Sequence, residues 1–422
     1  MDNNSTDSVT VDALVQQPPM QQPPMQQPPV QQAGASIWTK GFISLFITCI
    51  MLNVGQYMSN SILPVYMDSI GLSAAVVGLV LGTFAFSIIL FRLVSAPVMD
   101  TYNRKYVVIS STIILSVAFF GFSIAKSVPL LICFRLIQGC GAAFGNACCL
   151  TIVADMLPKE KYSSGIGYFF LAPVLGQALG PFIGLLLLGQ IGYSATFIVT
   201  ACLMLLTGVL TSRLKISYTR TKKFKPVFSN IIAKEVFLPT VLLILISICI
   251  GAVSAFLVLF ARNRGVTSNI GLFFTVSAGA MVISRPYIGR LTDKFGFVKM
   301  GVPLMICTII MLFVTSISAS LWCFLIAAVF SAFGYYACQP ALQALAMKAV
   351  TGERRGAASA TSSIGVDAGV LIGSSTAGSL VQAFGYVPMW RLLALAPLFG
   401  ILVIILFRRR INGIEKSFSE TV

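Results

Sequence analysis

Long apolar runs, separated by short polar segments, occupy almost the whole chain after residue 36. A helix needs about 20 apolar residues to cross roughly 30 Å of hydrocarbon, and runs of that length recur along the sequence. The pattern predicts twelve membrane-spanning helices, named spans 1 to 12 here: 41–63, 75–99, 106–125, 129–150, 163–188, 193–212, 237–260, 270–289, 300–319, 321–346, 357–383 and 388–407. The short connections leave no room for a soluble domain.

The first 36 residues have a different pattern. Gln16-Gln17-Pro18-Pro19-Met20 recurs twice in succession, the second time with Val30 in the last position. Proline favours solvated polyproline II, and so few apolar residues cannot build a core. We expect a disordered tail; a site for a proline-binding partner is the alternative.

Composition agrees with a membrane protein, because 57% of residues are hydrophobic and only 10% are charged, against about 25% charged in soluble proteins. The ten cysteines all fall inside predicted spans, where cysteine packs as a small apolar residue. With no histidine in the chain, no metal-binding pattern emerges. No phosphate loop or paired-carboxylate centre is found either, so we expect neither a cofactor nor an enzyme.

The formal charge of +16 does not indicate a nucleic-acid partner, because the basic residues follow the positive-inside rule. Most lie in loops on the side of the N-terminus, including the central loop and Arg408 to Arg410, and only Lys126, Arg262, Arg264 and Arg391 fall on the other side. This predicts a multi-pass protein of the cell membrane, the inner membrane in a bacterium, with both termini in the cytoplasm.

The two halves of the chain repeat one pattern at a constant offset of 193 residues. The offset pairs Arg92 with Arg285, Asp100 with Asp293, Gly176 with Gly369, and Gly180 with Gly373. Because each half has an even number of spans, both insert in the same orientation, as parallel repeats about an axis along the membrane normal. That symmetry predicts a central site between two six-helix bundles.

The loops that hold the repeated aspartates resemble the signature of the major facilitator superfamily, G-x-L-a-D-r-x-G-r-[rk]. The second copy, Gly289-x-Leu291-x-Asp293-x2-Gly296, matches better than the first, where Ala96 and Asn103 replace glycines. The resemblance implies a twelve-helix secondary transporter that works by alternating access.

In that family the aspartate and a loop arginine latch the halves together in one access state. The resemblance therefore implies gating roles for Asp100 with Arg104, and for Asp293. Arg92 and Arg285, which recur eight positions before each aspartate, belong to the same gating frame. Helix capping by each aspartate is the alternative interpretation.

Spans 4 and 5 carry two further segments similar to family signatures. Leu131-x3-Arg135-x2-Gln138-Gly139 resembles the signature of proton-coupled members, and an arginine in hydrocarbon normally faces a cavity or a partner. Gly176-x3-Gly180-Pro181-x2-Gly184 resembles that of exporters that exchange substrate for protons. Glycines four apart let helices approach closely, and Pro181 permits a bend. Simple structural roles for Arg135 and for the glycines are the alternatives.

Asp367 in span 11 is the only acid that the pattern places deep in hydrocarbon. A carboxylate there is costly unless it is paired or protonated. Two roles stay open: Asp367 carries a proton, or it forms a structural ion pair with Arg92 of span 2.

Polar residues at helical spacing on spans 1, 4 and 10 indicate where a substrate binds. The candidate residues are Asn53, Gln56, Asn60, Asn146, Tyr335 and Gln339. Such faces normally point inward, although hydrogen bonding between helices is the alternative. The inventory suits a small amphiphilic molecule.

We therefore expect an all-α membrane protein with twelve transmembrane helices in two pseudo-symmetric six-helix bundles. The domains are a tail (1–36), a first bundle (37–212), a basic cytoplasmic linker (213–236), a second bundle (237–408) and a cytoplasmic tail (409–422). The expected function is proton-coupled efflux of a small molecule by a monomer in the lipid bilayer. Proton-coupled uptake of an organic anion or zwitterion is the runner-up, and a non-transporting sensor comes third.

The predicted orientation can be tested with reporters fused to the C-terminus. A green fluorescent protein fusion should fluoresce and an alkaline phosphatase fusion should be inactive, because only the former matures in the cytoplasm. The opposite pair of results would reverse the orientation.

Overall fold

In the computed structural model, the apolar stretches of the sequence form α-helices. The structure describes residues 37–157, 161–214, 233–350 and 354–421, apart from the side chains at 96, 100, 163, 355 and 418–421. The proline-rich repeat and most of the basic linker lie outside these ranges. Within them, no strand occurs.

In the part of the chain that the structure describes, eleven segments are long and apolar enough to cross a membrane. One of them, Ser164–Ser212, has 49 residues and contains Gly192 at φ 77° and ψ 179°, which interrupts the helix. Gly192 therefore divides this segment into spans 5 and 6, so the described residues contain the twelve spans. A positive φ favours glycine, because it has no Cβ to clash with the backbone.

Nine helices begin and end close to the predicted limits. They are span 1 Lys40–Ser69, span 2 Ala74–Thr101, span 3 Arg104–Ile124, span 4 Val128–Met156, span 6 within Leu171–Ser212, span 7 Phe237–Asn263, span 8 Leu272–Phe295, span 9 Phe297–Ile317 and span 11 Arg355–Phe384. Spans 1, 4 and 8 run about two turns beyond the predictions, because backbone hydrogen bonding continues where the apolar run has ended.

Spans 5, 10 and 12 are each built from two helices. Span 5 is Tyr162–Phe169 followed by the first part of Leu171–Ser212, span 10 is Leu321–Phe333 and Tyr335–Lys348, and span 12 is Tyr386–Leu393 and Leu395–Leu406. Pro173 explains the break in span 5, because proline has no N–H for the carbonyl of Phe169 and its ring clashes with that carbonyl. Pro397 stands in the same relation to Leu393 in span 12.

The duplication seen in the sequence recurs in the packing. A Cβ placed on Gly176 would lie 2.3 Å from the Cβ of Asn53, where span 5 contacts span 1. Its equivalent, Gly369, brings span 11 equally close to span 7, with 2.5 Å to the carbonyl oxygen of Ile244. These glycines act first as sites of close helix packing.

Among the described residues, the two halves are joined chiefly through three pairs of spans: 1 with 7, 2 with 11, and 5 with 8. We call the end of the bundle where span 1 begins and span 12 ends the termini end, and the other the far end. At the far end, Asn269 Nδ2 donates to the carbonyl of Phe182 over 3.0 Å, and Thr275 Oγ1 donates to that of Ala178 over 2.7 Å. Gly78 meets Gly378 backbone to backbone there as well. The far end is therefore closed.

The last segment, expected as a simple tail, contains the helix Arg408–Thr421. Ile411 is fully buried, and Glu415 accepts a hydrogen bond of 2.9 Å from the backbone N–H of Phe297 at the start of span 9. The carboxylate thereby satisfies one of the free N–H groups of that helix terminus. Long polar side chains concealed the buried positions of this helix from the hydropathy pattern.

Replacing Gly373 with alanine should lower the thermal stability of the purified protein. The new Cβ would lie 2.1 Å from the carbonyl oxygen of Ile248, so spans 7 and 11 must separate; overpacking of this kind costs about 1–3 kcal/mol. Gly279→Ala is the matched control, because that glycine has open space around it. Equal melting temperatures for the two variants in detergent would contradict the packing argument.

Candidate functional site

A cavity of about 310 Å³ lies between the two halves. Its walls come from spans 1, 5, 7, 8, 10 and 11. The polar side chains that line it are Tyr57, Asn60, Ser61, Gln177, Ser254, Arg285, Tyr336 and Gln339. Val253, Phe274 and Met281 contribute apolar surface. A mostly apolar cleft with a few polar groups is typical of a small-molecule site.

Two further compartments adjoin this central cavity. One of about 410 Å³ follows spans 1, 2, 4 and 5, and shares Tyr57 and Asn60 with the central cavity. The other, of about 600 Å³, shares Arg285 and reaches Asp293 and Lys348 at the termini end. Phe170, at the break in span 5, lines all three. Because the far end is closed, the cavity system leads toward the termini end.

Arg92 and Asp367 form an ion pair across the two halves. Nη2 of Arg92 lies 2.9 Å from Oδ2 of Asp367, and the two side chains are 33% and 15% exposed. Arg92 lines the cavity along spans 1 and 2. Of the four ion pairs among the described residues, this one alone joins the halves. Charge at the cavity wall is thus coupled directly to the contact between spans 2 and 11.

Arg135 is buried and is held by neutral amides. Its Nη1 donates to Asn60 Oδ1 over 2.9 Å and to Gln138 Oε1 over 2.6 Å. Gln138 in turn donates to Gln56 Oε1 over 2.8 Å, and the guanidinium lies 5.1 Å from the ring centre of Phe84. No carboxylate of the described residues pairs with it. The network connects spans 1 and 4, and its Asn60 end reaches the central cavity.

The other candidate substrate residues divide into two groups. Asn53, Gln56, Asn60 and Asn146 line the compartment along spans 1 and 4. Asn53 and Asn146 also bond to each other, Nδ2 to Oδ1, over 2.9 and 3.3 Å. These residues therefore face the cavity and also connect the helices. Both interpretations of the polar faces, substrate binding and hydrogen bonding between helices, agree with these positions.

On span 10, Gln339 lines the central cavity but Tyr335 does not. Tyr335 is fully buried, and its neighbour Tyr336 takes the place on the cavity wall. Helical spacing identified only part of the cavity face of span 10. It assumes one continuous helix, whereas the break at Gly334 rotates the helix Tyr335–Lys348 relative to the helix Leu321–Phe333. The structure thus replaces Tyr335 with Tyr336 as the candidate.

The two loop residues proposed for the gate whose side chains are described, Arg104 and Asp293, form pairs within each half rather than between halves. Arg104 forms an ion pair with Asp155 at the end of span 4, and Asp293 lies 3.3 Å from Lys348 at the end of span 10. Positions 155 and 348 are equivalent in the repeat. At this position the first half has the acid of its ion pair, and the second half has the base of its own. The side chain of Asp100 lies outside the described set. Among the described side chains of these loops, no ion pair joins the two halves.

The helix of span 5 is interrupted at a different position from the one where the sequence suggested a bend. The helix Leu171–Ser212 continues through Pro181, whereas the chain breaks at Phe170. Gly176 and Gly180 pack against Asn53 and Tyr57 of span 1. Pro181 lines the central cavity. The interruption of this span thus lies at Phe170, beside the cavity, because Pro173 cannot provide the backbone N–H there.

The sequence analysis did not identify Gln177 as a cavity residue, and it assigned Arg285 only to the gate. Gln177 is 5% exposed and lines the central cavity, and its Nε2 has no hydrogen-bond partner among the described residues. An isolated amide between the glycines of an apolar span could have drawn attention to it. Arg285, assigned to the gate from the repeat, lines both the central cavity and the compartment toward the termini end.

Metal-ligating side chains do not gather at this site. All ten cysteines are unpaired, and five of them are buried in the helix packing. Among the described residues no group of three His, Cys, Asp or Glu side chains could hold a metal ion.

Comparisons with known proteins agree on the architecture. The crystal structure of nucleoside transporter NupG superposes with a TM-score of 0.75 over 87% of this chain and 98% of its own, at 11% identity. An identity this low supports the fold alone.

Sequence comparison is more specific. An uncharacterized MFS-type transporter of Methanocaldococcus jannaschii is 24% identical over 385 residues, 88% of this chain and 98% of that protein. The multi-drug resistance efflux pump PmrA of Streptococcus pneumoniae is 27% identical over 250 residues, which cover 56% of this chain and 62% of PmrA. The family model of the Major Facilitator Superfamily matches residues 45–322 and 266–420. With the twelve spans and the cavity between two halves, these matches show that the chain is a transporter of the major facilitator superfamily.

Proposed function

We propose that this transporter exports a small amphiphilic solute in exchange for protons. The observation that carries the proposal is the ion pair between Arg92 and Asp367, which joins the two halves at the cavity. Protonation of Asp367 would remove the negative charge and release Arg92. Proton binding would thereby weaken the contact between spans 2 and 11, and alternating access requires that contact to change.

The proposed transport cycle follows from the closed far end of the bundle and the cavity that leads toward the termini end. In the orientation expected from the positive-inside rule, the termini end faces the cytoplasm, so the cavity in this structure would accept cytoplasmic solute. Rocking of the halves would close that end and open the far end, where the solute leaves and a proton reaches Asp367. The return would deliver the proton to the cytoplasm and restore the ion pair.

Two observations support export. PmrA, a relative over part of the chain, is described as a multi-drug resistance efflux pump, and span 5 carries the glycine pattern of exporters. Proton-coupled uptake is the second candidate, because Arg285 places a positive charge on the cavity wall that would suit an organic anion. In everted vesicles with an acidic interior, export by antiport accumulates solute inside, whereas symport depletes it.

Replacing Asp367 with asparagine should abolish transport driven by a pH gradient and leave solute exchange in the absence of a gradient. The amide keeps the size of the side chain but cannot bind and release a proton. Flux in proteoliposomes, measured with and without the gradient, tests this. Asp68→Asn, at an exposed acid near the far end of span 1, is the matched control.

If Asp367 has only a structural role, Asp367→Asn should retain most of its gradient-driven flux. A flux in the wild type that is unchanged when the gradient is collapsed would remove proton coupling altogether. Absence of any flux in the wild type would favour the sensor interpretation.

Replacing Arg135 with methionine should reduce gradient-driven transport at least about tenfold and lower the melting temperature only moderately. The methionine removes a buried charge but leaves Asn60 Oδ1 and Gln138 Oε1 without this donor, which costs about 1–3 kcal/mol. Loss of a functional charge should instead appear in transport. Circular dichroism melts and flux per folded molecule separate the two effects. A large drop in melting temperature with normal flux would assign Arg135 a structural role.

A further inference from the structure

We infer that Arg285 and Gln177 form an oxyanion-binding subsite in the central cavity, and that the transported solute carries one carboxylate-type group on an apolar body. The inference rests on the proposed proton-coupled transport, applies to export and to uptake alike, and specifies the chemical class of the solute. Both residues line the cavity of about 310 Å³ between the halves.

The repeat explains why Arg285 is available to a ligand. Its equivalent in the first half, Arg92, is neutralised by Asp367. At the offset of 193 residues, the position equivalent to Asp367 is Val174, which lines the central cavity together with Arg285. The second half thus keeps the arginine and lacks the acid. No described carboxylate forms an ion pair with Arg285.

A cation at membrane depth is costly unless a partner compensates its charge. For Arg92 the protein supplies that partner itself. For Arg285, whose side chain faces the cavity, an anionic ligand can supply it. Arginine suits this role because its planar guanidinium can donate two parallel hydrogen bonds to one carboxylate.

Gln177 provides an independent observation at the same place. It lies three residues after Val174, on the same face of span 5, and the residue is only 5% exposed. Its Nε2 has no hydrogen-bond partner among the described residues. A buried donor without an acceptor is unfavourable. An oxyanion held by Arg285 would provide the missing acceptor.

The rest of the cavity wall defines the remainder of the solute. Tyr57, Tyr336 and Gln339 can donate further hydrogen bonds, whereas Val253, Phe274 and Met281 form an apolar surface. Arg135, behind Asn60, adds positive potential. A neutral amphiphile would leave Arg285 uncompensated and a cationic one would be repelled. The cavity therefore suits an organic monoanion.

Binding of three matched probes to the purified full-length protein tests the inference. The probes are radiolabelled 4-phenylbutyrate, 4-phenylbutyramide and 4-phenylbutylamine, which share one body and differ in charge; affinities are measured by equilibrium dialysis. Wild type should bind the carboxylate at least about tenfold more tightly than the amide or the amine. Equal affinities, or a preference for the amine, would overturn the inference.

Variants then locate the effect. Arg285→Gln should remove the preference for the carboxylate, and Arg285→Lys should weaken it, because the charge remains but the paired hydrogen bonds are lost. Arg262→Gln removes the same charge at an exposed position on span 7 and should leave the preference intact. Retention of the wild-type preference by Arg285→Gln would contradict the assignment.

Restoring the missing acid is a complementary test that keeps Arg285 in place. Val174→Asp should pair with Arg285, reduce carboxylate binding at least about tenfold and shift the preference toward the amine. Val174→Asn is the matched control and should retain more of the carboxylate affinity. Similar effects of the two substitutions would contradict the charge argument.

Flux of the same probes in proteoliposomes separates this inference from the proposed function. Gradient-driven flux of the amine or amide without preference for the carboxylate would overturn the anionic subsite and leave proton-coupled transport standing. Selective binding of the carboxylate with flux that ignores the pH gradient would do the reverse.

Discussion

The ion pair between Arg92 and Asp367 is the charged contact that joins the two halves among the described residues. Elsewhere the halves meet through small side chains and single hydrogen bonds, as at Gly78 with Gly378 and at Thr275 with Ala178. Those contacts are uncharged, so a proton does not change them. The ion pair combines a titratable group, a contact between halves and a position at the cavity. Neutralising one partner would remove the attraction between opposite charges from that contact.

The duplication separates packing from chemistry. Positions that both halves share, such as Gly176 with Gly369, bring spans 1 and 5, and spans 7 and 11, into equally close contact. The arginine at 92 and 285 is shared as well, but other charges differ between the halves: Arg135 is equivalent to Ala328, and Asp367 to Val174. An ancestral pair of identical halves would have had identical cavity walls. Because of the second difference, Arg92 is paired with Asp367, whereas Arg285 faces the cavity without a described acid as its partner.

Much of the fold was predictable from the sequence because hydrocarbon imposes a strict length and polarity on each span. The positions of Arg92 and Asp367 along spans 2 and 11 also suggested their pairing, since each turn of a helix has a known rise. Local reasoning failed at helix breaks. In span 5 the bend was expected at Pro181, but the helix is interrupted near Pro173. In span 10 the helix breaks at Gly334, and Tyr336 lines the cavity wall where Tyr335 was expected. Periodicity assumes a continuous helix, and these helices are not continuous.

The sequence by itself determined the twelve spans, the two-fold repeat and the family resemblance, because these follow from composition and spacing along one dimension. Only the tertiary structure decided which polar side chains find partners inside the protein. Asn53 and Asn146 bond to each other, Arg135 is held by amides, and Gln177 has an unpartnered donor. The physical reason is that satisfaction of a buried polar group depends on neighbours from distant parts of the chain, and spacing within one helix does not specify them.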